Sequence, residues 1–154
     1  MAIIYHPNFK QSFIYRGLSP FFSSFSCTIF AGVQPTAQTV ADNWATYKNP
    51  NSNLLWHSNV GFTTGITNNE TTIYGTLMPQ NVLPVRAGTA SWAIIWNAIG
   101  VDYNSLSSNT IPSTRFTVVP VTLNTSNGVL RVNNSSFTTS TAVIITEFGL
   151  TASL

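Results

Sequence analysis

Charge is what this sequence has least of. Charged residues make up 6% of the 154, six basic and four acidic, against roughly 25% in an ordinary soluble domain. The cations Lys10, Arg16, Lys48, Arg86, Arg115 and Arg131 are scattered and form no stripe, which argues against a nucleic-acid partner. The carboxylates Asp42, Glu70, Asp102 and Glu147, with His6 and His57, are a thin supply for general acid and base work. No Gly-x-Ser-x-Gly turn is present. Gly61 and Gly65 lack the Lys-Ser/Thr of a phosphate cradle, and His57 has no second ligand at metal spacing. No enzyme activity, cofactor or metal is expected.

Cysteine is nearly absent as well. The single Cys27 excludes an intramolecular disulfide, and with Ser26 and Thr28 as neighbours it has no base or cation to activate it, so it reads as a small core residue. Long apolar runs are missing too. No stretch approaches the ~20 residues of a membrane helix. The first 25 residues lack the shape of a signal peptide, because Lys10 and Arg16 lie inside them and His6-Pro7-Asn8 interrupts their start. No membrane partner is expected.

What is present is neutral polarity. Asn, Ser and Thr account for 54 of the 154 residues, so solvent-facing positions are filled largely by uncharged hydrogen-bonding groups. A net charge of +2 on so few ionised groups gives little mutual repulsion. The composition suits a subunit packed among others. At this length one domain is the economical reading, and it buries roughly 70% of its unfolded surface.

Along the chain, residues 1–25 carry seven aromatics, Tyr5, Phe9, Phe13, Tyr15, Phe21, Phe22 and Phe25, with short strands expected at 2–5 and 12–15. They read as a segment distinct from the domain at 26–154, suited to an arm that contacts neighbours. Phe9, Phe13, Phe21 and Phe22 are the contact candidates there. A strand at 28–31 ends at Gly32. One amphipathic helix of about three turns follows, at about 36–47, capped by Thr36 and carrying Val40, Trp44 and Tyr47 with Ala37 and Ala41 on one stripe. Pro50 and its flanking asparagines end it.

A strand returns at 54–56, and the Gly, Thr and Asn residues of 61–69 read as a loop. Residues 71–77 alternate as a strand. Pro84 marks 82–85 as an edge or irregular strand. Neither face of Ser91-Trp92-Ala93-Ile94-Ile95-Trp96 looks solvated, so this strand is expected to be central or covered. Residues 100–112 form a long Ser/Asn loop, in which Tyr103 is a further contact candidate. In 115–123 the apolar parity changes at Pro120, where a bulge or corner is expected. Asn127-Gly128 signals a hairpin whose return strand is 129–132. Residues 133–140, apart from Phe137, read as a polar loop. Val143-Ile144-Ile145 reads as a strand buried on both sides, within 142–148. Eight to ten short strands and one helix describe a mainly β fold, a single-domain β-sandwich or jelly-roll-like barrel.

Ile29-Phe30-Ala31-Gly32-Val33-Gln34-Pro35-Thr36-Ala37, with Trp44 and Tyr47 after it, resembles the strand, Gln-Pro turn and short helix of small β-structural proteins from tailed-bacteriophage virions. Gly88-Thr89-Ala90-Ser91-Trp92 resembles a later strand start in the same proteins. The resemblance implies a non-enzymatic virion protein, made in the host cytoplasm and placed on the capsid surface as a cement or decoration subunit. Its implied partners are further copies of itself, a trimer being favoured, and the major capsid or other virion proteins. A tail, neck, baseplate or fibre position is the alternative within that class. A carbohydrate-binding module is the alternative outside it, because Trp56, Trp92, Trp96 and Tyr103 offer rings to stack on sugars. A hydrolase comes third.

Overall fold

The computed structural model describes residues 4–5, 25–48, 53–60, 62–68, 72–77, 81–96, 116–123 and 130–151. The strands are β1 (Ile4–Tyr5), β2 (Phe25–Phe30), β3 (Leu54–Val60), β4 (Phe62–Asn68), β5 (Thr72–Leu77), β6 (Gly88–Thr89), β7 (Trp92–Trp96), β8 (Phe116–Leu123), β9 (Leu130–Val132), β10 (Ser136–Phe137) and β11 (Ile145–Thr151). Two helices, α1 (Ala37–Asp42) and α2 (Trp44–Lys48), lie between β2 and β3. Nine strands join one curled sheet along the path β3-β2-β7-β8-β9-β11-β5-β4, with β1 also paired to β8. The fold is mainly β and sandwich- or barrel-like, as expected. Although β3 and β4 stand at opposite ends of that path, one residue separates them in the chain, so the sheet curls back on itself.

The strand β8 is where the sheet turns. Residues 116–120 pair with β7 in unbroken antiparallel register, and residues 121–123 pair with β9 in parallel. No bulge interrupts the register with β7, and side-chain parity does not change. Phe116 and Val118 face one apolar cluster, while Val119 and Val121 face another. The apparent change of parity in the sequence comes from Thr117, which is fully buried, and from Pro120. The Val121 N–H bonds Ser91 O on the β7 side at 3.0 Å, so by strand alternation the nitrogen of Pro120 faces the opposite edge. That edge position lies between the residues paired with β1 and those paired with β9. The missing proline donor therefore costs no bond to β7, and the proline is tolerated inside a buried strand.

Two apolar clusters lie on the two faces of the β2-β7-β8 region. Cys27, Ile29, Trp56, Ala93, Ile95, Val119, Leu130, Val132, Ile145 and Phe148 belong to the inner one. Phe30, Leu54, Trp92, Ile94, Phe116 and Val118 pack on the other side with Ala37, Val40, Ala41 and Trp44 of the helices. The strand β7 is thus central and covered on both faces, as its sequence requires. Phe30 and Trp92 stack with ring centroids 4.2 Å apart and planes at 9°, and the half-buried Tyr47 meets both rings edge-on.

The helical stripe is confirmed, but the helix is divided. Thr36 accepts a bond from Thr39 N. Asn43 then leaves helical geometry and binds Thr39 O through its own Nδ2 at 2.9 Å. A side chain that competes for the backbone in this way favours a cap over a helix interior. Trp44 continues the buried stripe from the second piece. At the end of β2, Gly32 has φ +89, a left-handed conformation that costs glycine little.

Several expectations need correction. Residues 62–68 are the strand β4, paired to β5 with register shifts. Their threonines and Ile66 carry the β preference that a loop reading passes over. Residues 81–87 form no strand, although Val85 N is held by Leu55 O at 2.8 Å. The chain at 130–132 is not the return of a hairpin, since β9 runs parallel to β8 and antiparallel to β11. Within the expected loop, Ser136–Phe137 is a short strand paired with β6, and Phe137, the apolar exception there, is buried. Finally, Ile144 is exposed while Val143 and Ile145 are buried, so this segment alternates and is not buried on both sides.

Candidate contact surface

The two carboxylates among the described residues, Asp42 and Glu147, lie on separate elements. Asp42 is exposed and accepts a bond from Gln38 Nε2 at 2.7 Å on the polar side of α1. Glu147 lies across from Arg131, with Nη2 to Oε1 at 2.9 Å and both side chains half-buried. His57 Nδ1 is 2.7 Å from the hydroxyl of the fully buried Thr28, its cross-strand partner. No group of three His, Cys, Asp or Glu capable of holding a metal occurs among the described residues. His6, Glu70 and Asp102 lie outside them. Burial in apolar surroundings pushes the Cys27 thiol well above its ordinary pKa, which fits a core role and leaves it inert at neutral pH.

Two of the rings that could have stacked on a sugar are in the core. Trp56 is fully buried and donates through Nε1 to Val82 O at 2.9 Å, and Trp92 donates to Ala31 O at 3.2 Å. These tryptophans satisfy their N–H groups against backbone and present no open face. The side chain of Trp96 and the whole of Tyr103 lie outside the described residues, as do the contact candidates Phe9, Phe13, Phe21 and Phe22. A shallow cleft of about 110 Å³ is lined by Asn133, Asn134, Ser136, Phe137 and Val143 among others. That volume is well short of the roughly 300 Å³ at which ordinary ligand sites begin.

What the surface does offer is aliphatic. Val33, Leu83, Val85, Leu123 and Ile144 are the large apolar side chains exposed among the described residues, Val33 at 92% and Val85 at 64%. All five belong to the same end of the sandwich. Val33 stands three residues past Phe30, the last residue of β2, and Val85 is bonded to Leu55 near the first residue of β3. Leu123 is the last residue of β8. Ile144 precedes β11, whose first residue pairs with the last of β9. Arg86, next to Val85 in the chain, is exposed.

The backbone beneath these side chains is tied down at several points. Val143 N reaches Val82 O at 3.5 Å, Asn133 N reaches Ile144 O at 3.1 Å, and Ala90 N reaches Ser135 O at 2.8 Å. Gly88 passes so close to Leu55 that a Cβ there would stand 2.9 Å from Leu55 Cδ2. A held backbone that presents aliphatic groups to solvent is a surface suited to another protein, because little ordering entropy is lost when it is covered.

The sequence reading missed these five residues because it sought contacts among aromatics. One signal was available in Val82-Leu83-Pro84-Val85. Pro84 is buried and Val82 half-buried, while Leu83 and Val85 point outward, so an extended segment apolar on both sides lies where only one side has a core. Comparison with known protein families, with curated proteins and with solved structures gives no match to this chain.

Proposed function

We propose that this chain is a non-enzymatic structural subunit whose work is to pack against other subunits. The observation that carries the reading is the aliphatic end: five exposed large apolar side chains on a held backbone, in a chain with 6% charged residues. Few charges mean weak repulsion between copies, and exposed aliphatics mean a gain of roughly 25 cal/mol for each Å² covered.

Within that class we place the protein in a tailed-phage virion, as a cement or decoration subunit bridging coat subunits on the capsid surface. This part rests on the resemblance of residues 29–37, 44, 47 and 88–92 to small virion proteins, with which the composition agrees. The test is cosedimentation of the purified protein with expanded shells of its own particle, wild type against Leu83→Asp/Val85→Asp. Binding by the wild type and its loss in the variant are expected. A wild type that stays in solution removes the capsid position, and labelling of tails in place of shells moves the protein to the tail, neck or fibre.

A further inference from the structure

We propose that the shallow cleft at 133–143 is a socket for Val33 of a second copy of this chain. The proposal rests on the subunit reading and deepens it by naming the residues that meet. The cleft has an apolar floor, since Phe137 and Val143 are buried, and a neutral rim, with Asn134, Ser136 and Thr141 exposed. None of the described residues lining it carries a charge, so an apolar group enters without stripping water from an ion. An apolar floor within a polar rim is the layout of a contact between proteins.

Size selects the occupant. A cavity of about 150 Å³ takes up benzene, and this cleft, at about 110 Å³, admits a smaller, branched aliphatic group. Val33 offers one. It is 92% exposed, the highest value among the exposed large apolar side chains described, so it sits in no cleft of its own chain. Gly32 turns the chain beside it at φ +89, and Pro35 beyond it is half-buried. Leu83, at 49%, is already half-covered by its own chain.

The socket is held ready. Ser136 N–H donates to Asn134 Oδ1 at 2.9 Å, Asn133 N–H donates to Ile144 O at 3.1 Å, and Ser136–Phe137 is paired with β6. Little ordering is therefore lost when a side chain enters. Val33 and the socket are different segments of one end of the sandwich, so a copy fills one neighbour's socket while another fills its own. Such head-to-tail contacts close into rings, of which a trimer is the smallest.

The test uses the full-length chain in two arms. Sedimentation compares wild type with Val33→Asp, with Thr141→Trp, which fills the cleft from its rim, and with Leu83→Asp/Val85→Asp. Self-association weaker by about tenfold or more is expected in Val33→Asp and Thr141→Trp, at an unchanged melting temperature because both positions are exposed. In the second arm Val33→Cys and Thr141→Cys, on chains that differ in tag size, are mixed, oxidised and run without reductant; the native Cys27 is buried. A mixed disulfide is expected, in larger yield than when Leu83→Cys takes the place of Val33→Cys. A yield no larger than that overturns the socket, as does association that survives Val33→Asp. Loss of association in Leu83→Asp/Val85→Asp alone leaves the subunit reading standing and removes only the socket, whereas a monomeric wild type removes both.

Discussion

The β2-β7-β8 part of the sheet and the β9-β11 part solve the same burial problem differently. In the first, the helices cover one face and the inter-sheet core the other, and β7 consists of Trp92, Ala93, Ile94, Ile95 and Trp96 with no polar residue. In the second, Leu130, Val132, Ile145 and Phe148 are buried while Arg131, Thr146 and Glu147 between them are half-buried. In that part, where no helix among the described residues packs on the sheet, Arg131, Thr146 and Glu147 take the outward positions. Among the described residues the helix-covered sheet face is closed to partners, which leaves the aliphatic end and the strand edges as candidate contacts.

Removing the cover should have the largest effect. Trp44 is fully buried against the outer face, and Trp44→Ala should cost about 3–5 kcal/mol in urea unfolding. A loss near zero would mean that the helices are an ornament on a sheet stable without them.

Between the two parts lies Cys27, and it supplies a pH test of the inner core. Its folded-state pKa is raised by burial above the unfolded value, so its contribution is fully present below about pH 8.5 and is lost as pH rises above that. The decline for this one proton approaches about 1.4 kcal/mol per pH unit at 25 °C. It should be absent in Cys27→Ala, and equal slopes in the two proteins would show that the thiol is not shielded.

The smallest effect belongs to the less covered part. Glu147→Gln removes the charge opposite Arg131 and should cost about 1 kcal/mol, because both side chains remain partly in water. The difference from wild type should shrink as salt is added. A cost as large as that of Trp44→Ala would mean that this face is as closed as the other.

Much of the covered part was legible in the sequence. Thr36, Val40 and Trp44 announced a capped amphipathic helix, and the unbroken apolar run of β7 announced a strand enclosed on both sides. The same enclosure hid other features. Where both faces of a strand are apolar, a buried Thr117 and a Pro120 at an open edge look like a change of parity. Strand partners were harder still. The parallel pairing of β8 with β9 depends on contacts between distant segments, which a local Asn-Gly signal overrode in the reading. For the contact surface, single exposed aliphatics carry no periodic mark, and Val33, Leu83, Val85, Leu123 and Ile144 become one feature only when the fold brings their loops to one end.

The central claim, that the aliphatic end is a protein contact, is tested most directly by sedimentation of the purified chain at concentrations on the order of tens of micromolar. The account predicts association, with a trimer favoured, and its loss in Leu83→Asp/Val85→Asp at an unchanged melting temperature, because both side chains are exposed in the single chain. A wild type that sediments as a clean monomer would contradict it.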